Sequence, residues 1–278
     1  MRLFGCLVVQ NEGDIIAELL SHLRDMQVFH KLFFYDLGSE DDTFVQAIGF
    51  RDVLHSAEIL HGPYTEALRQ ELLLSHSKLF ALGDWLVFVD ADEFYAEDPR
   101  RLLALAEAEG AESLTTYQME YGFTDVDLEA FGDEDTSLPI RKRRRHYLID
   151  WTEERFYRYL PGRESGALSS ERPSSRRLLN RHYQFRTPAQ MELRLRTRLD
   201  NRVASVGMPG HQPWKHVFST RWQDFVRPHH LFHFDAGPPV FGLPPGMRVE
   251  DYRRPGDPFG EELARIAIAF KNEPPGGG

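Results

Sequence analysis

The feature that most constrains this chain is an apolar run that ends in two carboxylates. The run covers Trp85–Val89 and continues directly into Asp90-Ala91-Asp92-Glu93-Phe94. Consecutive apolar residues with β-branched and aromatic side chains are typical of a strand buried on both faces of a parallel sheet. Ligands of open α/β sheets bind beyond the carboxyl ends of such strands. The pattern therefore predicts that Asp90 and Asp92 lie at a binding edge.

Two carboxylates one residue apart suit a shared divalent cation. Hard oxygen ligands favour Mg²⁺ or Mn²⁺, and these ions keep coordination positions for water and substrate phosphates. Taken alone, Asp90 and Asp92 are equally typical of an acidic turn at the surface. The remainder of the chain has to decide between the two interpretations.

Two earlier strands are also predicted to end in polar residues. Apolar runs at 3–9 and 32–35 alternate with helical patterns at 15–26 and 66–82. This alternation predicts βαβ units and a parallel sheet flanked by helices. Asn11 and Glu12 follow the first run and Asp36 follows the second. Since parallel strands bring their carboxyl ends to one edge, we expect these residues to join Asp90 and Asp92 in one site.

The charge of the chain is divided unevenly. The net charge of −10 argues against general nucleic-acid binding. Residues 1–140 carry 8 Lys and Arg against 28 Asp and Glu, whereas residues 141–202 carry 17 against 7. We interpret the first part as the cation-binding side and the second as an anion-facing side, although solvated surface accounts for some of both.

Cysteine and apolar content bear on the compartment. A single cysteine, Cys6, allows no internal disulfide and favours a reducing, cytoplasmic location. The apolar start at 3–9 is too short for a signal peptide and predicts a first strand. No run approaches the roughly 20 apolar residues of a membrane span, which leaves peripheral contact with a membrane open.

The second half of the chain is less regular. A helix is predicted from Asp98, a strand over 114–123, and loops over 124–138 and 161–176. Thr187 and Gln190 form a capping-box pattern around Pro188, which predicts a helix whose Arg194, Arg198 and Arg202 make a basic stripe. Residues 203–260 lack periodicity, 261–270 read as a last helix, and 272–278 as a disordered tail.

The order of these motifs resembles the GT-A glycosyltransferases of family 2. The resemblance is carried by Val8-Val9-Gln10-Asn11-Glu12, by Asp36-x-Gly38-Ser39-x-Asp41-x-Thr43 and by Asp84-Trp85-Leu86-x-Phe88-x-Asp90-Ala91-Asp92-Glu93-Phe94. The later His182-Tyr183-x-Phe185-Arg186-Thr187 is similar to the family 92-like branch. The resemblance covers 3–95 well and 180–200 moderately. It implies a GT-A, Rossmann-like, mostly parallel sheet over 1–200, with a nucleotide-binding half at 1–95, an acceptor-side half at 96–200 and an irregular extension at 201–278.

The resemblance also implies a function and a set of site residues. The function is metal-dependent transfer of a sugar from a nucleotide-sugar donor, with a UDP-sugar favoured, to a glycan or other hydroxyl acceptor. Asp92 and His182 would bind Mn²⁺ or Mg²⁺, with Asp90 reaching the metal, its water or the ribose. The nucleotide would contact the residues that match the family motifs, which are Gln10, Asn11, Glu12, Asp36, Gly38, Ser39, Arg69 and Asp90.

Inversion at the sugar requires a carboxylate that deprotonates the acceptor hydroxyl. The acidic pair that family 2 enzymes carry at the start of the late helix is absent, because Arg186-Thr187-Pro188 stands there. Glu120, Asp125 and Asp150 are the candidates for this base. Each of these positions is also typical of an ordinary carboxylate on the protein surface.

Two other functions are compatible with parts of the pattern. A GT-A domain that binds nucleotide or glycan without transfer fits the missing base, although such a domain has no need of both Asp90 and Asp92. An aspartyl-phosphate phosphohydrolase also places Asp-x-Asp after a strand. In that class, however, the motif follows the first strand, and Glu93-Phe94 replaces the expected Thr or Val.

Overall fold

The computed structural model describes residues 1–132, 138–160, 168, 170–208 and 221–252, and of residues 150 and 151 it describes only the backbone. The described chain groups into two compact units. The first comprises 1–116, 153–179 and 200–213, and the second comprises 117–152, 180–199 and 214–278. The division into 1–200 and 201–278 expected from the sequence remains a prediction.

Strands and helices alternate through the first part of the chain and follow a less regular order after α4. The strands are β1 (Leu3–Val9), β2 (Lys31–Asp36), β3 (Ser56–Ile59), β4 (Trp85–Val89), β5 (Glu93–Tyr95), β6 (Ser113–Tyr121), β7 (Phe123–Thr124), β8 (His146–Arg158), β9 (Pro173–His182), β10 (Val226–Arg227) and β11 (His233–Phe234). The helices are α1 (Ile16–Met26), α2 (Thr43–Ala47), α3 (Glu66–Leu74), α4 (Pro99–Ala108), α5 (Asp125–Phe131), α6 (Ile140–Arg143), α7 (Pro188–Ala204) and α8 (Val249–Tyr252).

A mixed sheet forms the centre of the first unit. Its strands are hydrogen bonded in the order β3-β2-β1-β4-β8-β6-β9-β5. The pairs β2–β3, β1–β2 and β1–β4 are parallel, whereas β8 runs antiparallel to β4. The α/β class and the central sheet flanked by helices, both predicted from the sequence, are confirmed, and the part of the sheet built from β1 to β4 is parallel as expected.

The core of the first unit explains why β4 is apolar at every position. β4 is buried throughout, and Phe4, Phe33 and Leu86 are fully buried in one cluster. The lone cysteine, Cys6, belongs to the same cluster, and burial raises the pKa of its thiol to about 12. Its thiol is therefore a small apolar core group rather than a nucleophile.

The second unit has its own short strands and apolar clusters. β11 pairs antiparallel with the start of β8, and β10 pairs parallel with β7. One cluster packs the amino-terminal part of α7 through Met191 and Leu195 against Phe123, Phe185 and Phe225. Among the described residues, no helix is both long enough and apolar enough to cross a bilayer.

Two elements depart from the expectations. The loop expected over 124–138 begins with helix α5, because the Thr124 backbone N–H donates to Asp127 at 2.9 Å and the pair forms a capping box. α3 ends at Leu74 rather than near 82, since Ser75 turns its hydroxyl onto the Leu72 carbonyl at 2.7 Å. The last helix expected at 261–270 and the tail at 272–278 lie outside the described residues.

Candidate active site

The polar residues that follow β1, β2 and β4 meet at one edge of the sheet in the first unit. The register pairs Val9 with Asp36 across β1 and β2, and Leu7 with Val89 across β1 and β4. The three parallel strands therefore end together, as predicted. Asp36 lies at one strand end, Asn11 follows another, and Asp90 follows the third.

Hydrogen bonds tie the loops after β1 and β2 to each other. The Asn11 backbone N–H donates to the Ser39 hydroxyl at 2.8 Å, and the Asn11 side-chain carbonyl accepts from the Glu40 N–H at 2.8 Å. The Glu12 N–H donates to the Thr43 hydroxyl at 2.8 Å. Asn11 holds a positive φ of 58°, which Asn tolerates better than most residues. These hydrogen bonds join the loop after β1 and the loop after β2 into one structure, the double loop.

Asp36 is the buried acid at the centre of this double loop. Only 1% of its surface is exposed, and its Oδ1 accepts a hydrogen bond from the Ser39 N–H at 2.6 Å. Its Oδ2 is buried without a hydrogen-bond partner among the described residues. Gly38, at φ 74°, makes the turn that brings Ser39 back to the carboxylate. A buried acceptor without a donor is costly, and a ligand N–H or O–H would satisfy it.

Gln10 connects this edge to the carboxyl-terminal part of α7. Its amide nitrogen donates to the Leu37 carbonyl at 3.2 Å, and its carbonyl accepts from the Asn201 amide at 3.1 Å. Asn201 accepts in turn from the Tyr64 N–H at 3.2 Å. Sequence reasoning missed Asn201, which lies far from Gln10 in the chain.

Asp90 is held by two arginines, one at each carboxylate oxygen. Arg69 on α3 lies 2.8 Å from Oδ1, and Arg155 on β8 lies 2.6 Å from Oδ2. Arg155 also forms ion pairs with Glu93 and with Glu153, the latter at 3.0 Å. Burial acts to lower the pKa of each arginine, but Asp90 and the other acidic groups nearby together outweigh it and hold each pKa above its ordinary value. Both guanidiniums are therefore firmly charged.

Arg69 was predicted from the sequence, whereas Arg155 was not. The guanidinium of Arg69 lies 4.6 Å from the centre of the Phe88 ring, on the strand that leads into Asp90. Arg155 lies in a stretch without a recognisable motif. The only signal in the sequence is its place between apolar Phe156 and acidic Glu153 and Glu154, which is typical of many surface strands.

Asp92 is more deeply buried than Asp90, with 3% of its surface exposed. Oxygen ligands of this kind fit Mg²⁺ or Mn²⁺. Within the described part of the chain, no three His, Cys, Asp or Glu side chains are grouped so as to hold a metal ion. A cation bound by Asp90 and Asp92 would need further ligands from substrate or water.

His182 and the candidate bases Glu120 and Asp125 lie in the second unit. His182 and Glu120 stand at the ends of β9 and β6, and the imidazole Nδ1 pairs with the Glu120 carboxylate. Both side chains are largely buried. Asp125 lies at the start of α5, is half-exposed, and accepts from the N–H and Nδ1 of His229 at 2.8 and 3.0 Å. The side chain of Asp150 lies outside the described residues.

The two carboxylates Glu120 and Asp125 have different surroundings, and those of Asp125 weaken it as a base. Burial raises the pKa of Asp125, but the hydrogen bonds from His229 outweigh this and lower the pKa below its ordinary value, so this carboxylate is a weak base. Tyr121 and Tyr183, the neighbours of Glu120 and His182, stack with ring centres 4.5 Å apart. The sequence predicted both Glu120 and His182 but gave no sign that they pair.

Comparisons with known proteins give similarity at the level of structure alone. No family model matches the chain, and no curated protein matches it. TarS from S. aureus in complex with UDP-GlcNAc is 14% identical, with a TM-score of 0.43 over 79% of this chain and 70% of that one. The mannosyltransferase PcManGT from Pyrobaculum calidifontis, in complex with GDP-Man and Mn²⁺, is 12% identical, with a TM-score of 0.42 over 76% and 66%.

A third similar structure is glucosyl-3-phosphoglycerate synthase from Mycobacterium tuberculosis in complex with Mg²⁺ and UDP. It is 19% identical, with a TM-score of 0.30 over 43% of each chain. We infer no activity from similarities of this size, and the functional assignment rests on the residues of the site.

Proposed function

We propose that this protein is a metal-dependent glycosyltransferase that moves a sugar from a nucleotide-sugar donor to a hydroxyl acceptor, with inversion. One observation carries the proposal. The buried carboxylate oxygen of Asp36 that has no hydrogen-bond partner among the described residues lies at the same carboxyl edge of adjacent parallel strands as the Asp90–Asp92 pair. A nucleoside diphosphate that binds together with a metal ion requires a hydrogen-bond acceptor for the nucleoside next to oxygen ligands for the cation.

The nucleoside part of the donor is assigned to the double loop. Asp36 Oδ2 offers a buried acceptor to a base N–H or a ribose hydroxyl, which supports its assignment to the nucleoside. Gln10, Asn11 and Glu12 belong to the first loop, and Gly38 and Ser39 to the second. A UDP-sugar is the donor that we favour, because uracil presents one N–H between two carbonyls.

The metal is assigned to Asp92 and Asp90, whose hard oxygens fit Mn²⁺ or Mg²⁺. A bound divalent ion supplies Lewis-acid neutralisation of the diphosphate leaving group. Arg69, held against Asp90, adds a guanidinium suited to phosphate oxygens. His182 remains a predicted further ligand. Its pairing with Glu120 is typical of metal-bound histidines, whose second ring nitrogen usually contacts a carboxylate.

The base that deprotonates the acceptor is assigned to Glu120 rather than Asp125. Hydrogen bonds from His229 stabilise the ionised form of Asp125 and make it a weaker base. Glu120 is largely buried, whereas Asp125 is half-exposed and held by His229. Asp150 remains a candidate from the sequence. The acceptor itself is proposed to be a glycan, and the family 92-like branch and the cytoplasmic location likewise remain proposals.

A thermal-shift panel tests this function. UDP, GDP, ADP and CDP are each added with and without MnCl₂, and we expect one of them to raise the melting temperature strongly only when Mn²⁺ is present. Release of that nucleoside diphosphate from its sugar conjugates, with and without candidate acceptors, then measures transfer. If no nucleotide stabilises the protein with or without Mn²⁺, the proposed function is wrong.

A binding domain without transfer activity is the second candidate. The engagement of both Asp90 oxygens by arginines is the observation that favours it, because a fully paired carboxylate is a poor metal ligand. This candidate predicts nucleotide binding that Mn²⁺ does not strengthen and no turnover of any nucleotide-sugar. The same panel therefore separates the two candidates.

A further inference from the structure

The Arg69–Asp90 pair of the donor site belongs to a larger ion-pair cluster around Arg155. The cluster consists of Arg69, Arg155, Asp90, Glu93 and Glu153, and all of its members lie in the first unit. Only 5% of the side-chain surface of Arg69 and 6% of that of Arg155 is exposed. Buried charges at these distances are stable only as partners of one another.

The architecture brings Arg155 to this position. β8 runs antiparallel to β4 with Val87 opposite Phe156, so the residues of β8 just before Phe156 lie alongside the end of β4. Side chains alternate across a strand, and Arg155 and Glu153 therefore share one face. Burial raises the pKa of Glu153, while the charge of Arg155 opposes this. Arg155 thus faces three carboxylates, those of Asp90, Glu93 and Glu153.

The cluster has a consequence for cation binding in the free protein. A divalent ion that approaches Asp90 meets two guanidinium groups, one at each oxygen. Like charges that lie close together at a partly buried site repel strongly. A nucleoside diphosphate changes this balance, because its phosphate oxygens attract the same guanidiniums and the same cation.

We propose that Arg155 is a positioning residue of the donor site, which together with Arg69 holds Asp90 until a divalent cation and a nucleoside diphosphate arrive together. Arg155 acts through Asp90 and need not touch the substrate. In this arrangement the two ligands bind cooperatively, because each removes the electrostatic obstacle to the other. The inference rests on the proposed function and deepens it.

The test compares the affinity for Mn²⁺ alone with the affinity for Mn²⁺ in the presence of saturating UDP or GDP. The electron paramagnetic resonance signal of free Mn²⁺ reports both. In the wild type we expect nucleotide to raise Mn²⁺ affinity about 10-fold to 100-fold, the usual range of such coupling. In Arg155→Met we expect Mn²⁺ alone to bind more tightly than in the wild type and the coupling ratio to fall about ten-fold.

A matched control comes from the same strand. Arg158 pairs with Glu107 at 3.2 Å and does not contact Asp90. Arg158→Met should therefore leave the coupling ratio unchanged. Since Arg155→Met leaves Glu93 as a buried carboxylate without its partner, the double variant Arg155→Met with Glu93→Gln is measured beside it. A merely structural role of Arg155 would lower stability in these variants without changing the ratio of the two Mn²⁺ affinities.

The outcomes separate the inference from the proposed function. The role of Arg155 is overturned if folded Arg155→Met keeps the wild-type coupling ratio. If the single variant does not fold, the same result in the double variant overturns it. In either case the glycosyltransferase assignment stands. A wild type that binds Mn²⁺ equally well with and without UDP and GDP overturns the inference. A wild type that binds none of UDP, GDP, ADP and CDP in any condition removes both.

Discussion

Asp36 accepts a hydrogen bond from the Ser39 backbone N–H on one carboxylate oxygen and has no hydrogen-bond partner among the described residues on the other. The double loop therefore holds the acid in a fixed orientation with one acceptor position open. This asymmetry distinguishes Asp36 from the carboxylates near it. It also gives the first prediction.

Asp36→Asn should weaken nucleotide binding about ten-fold to a hundred-fold, because a charged hydrogen bond is worth about 1.5–3 kcal/mol. The loss should be the same with and without Mn²⁺, since Asp36 is assigned to the nucleoside. Titration calorimetry with the nucleotide identified by the thermal-shift panel measures both. Asp52→Asn, at an exposed position, is the control. A loss confined to the Mn²⁺-dependent part would assign Asp36 to the metal side.

Asp92→Ala should abolish stabilisation by Mn²⁺ with nucleotide. In the wild type, saturating ligands should add about 2–4 kcal/mol, the gain at 100 to 1,000 times the dissociation constant. Urea unfolding with and without both ligands measures the difference, and the fold without ligands should change little. Glu97→Gln removes an exposed carboxylate close by in the chain and should leave the full stabilisation. Equal stabilisation of the wild type and Asp92→Ala would exclude Asp92 as the metal ligand.

His182→Ala should reduce transfer activity more with Mn²⁺ than with Mg²⁺, because imidazole is a better ligand for the softer ion. Nucleotide binding without metal should be intact. Glu120→Gln should lower the rate about equally with both metals, because Glu120 is the proposed base rather than a metal ligand. Initial rates at saturating concentrations of each metal give the comparison. An equal loss with both metals in His182→Ala would remove the imidazole from the metal and leave it as the partner of the base.

His76 gives a prediction about stability and pH. Its Nε2 lies 2.6 Å from the Tyr35 hydroxyl, and its ring stacks on Phe33 at 3.6 Å. Burial lowers the pKa of His76 below its ordinary 6.5, with Glu58 opposing this and His55 adding to it. A lowered folded pKa means that the unfolded chain binds the proton first. The contribution to stability is therefore present above pH 6.5 and is lost as the pH falls through the folded pKa.

Urea unfolding at about pH 7.5 and about pH 5.5, on either side of the ordinary histidine pKa, tests this sign. The free energy of unfolding should fall between these values in the wild type and fall less in His76→Gln. The exposed His61 provides the matched variant His61→Gln, which should keep the wild-type difference. The same fall in wild type and His76→Gln would show that protonation of His76 does not destabilise the fold.

The sequence predicted the first unit better than the second, for a physical reason. Strands such as β1 and β4 are apolar at every position because they are buried on both faces, and α1 shows a clear apolar face. β8 and β9 combine arginine and glutamate with apolar residues, so neither alternation nor a continuous run was visible. Some of their charged residues, such as Arg155, are buried through ion pairs with partners far along the chain, which no local pattern reports.

Local sequence patterns were likewise insufficient to predict every residue of the site. Asp36, Asp90 and Asp92 were predicted because each lies at or just after the end of a strand whose apolar run is unmistakable. Arg155 and Asn201 were missed because their roles come from tertiary contacts with Asp90 and Gln10. Contacts of this kind depend on strand order, and the antiparallel placement of β8 beside β4 was not expected.

The placement of β8 has a consequence for biosynthesis. The residues assigned to the nucleoside and Asp92 are all translated by position 92, yet the strand that covers the open edge of β4 ends only at Arg158. A growing chain that has reached the end of β4 presents an unpaired strand edge, and Asp90 then lacks one of its two guanidinium partners. The amino-terminal half is therefore not a module that can be excised or transplanted, and a fragment covering 1–95 is expected to aggregate where the whole chain folds.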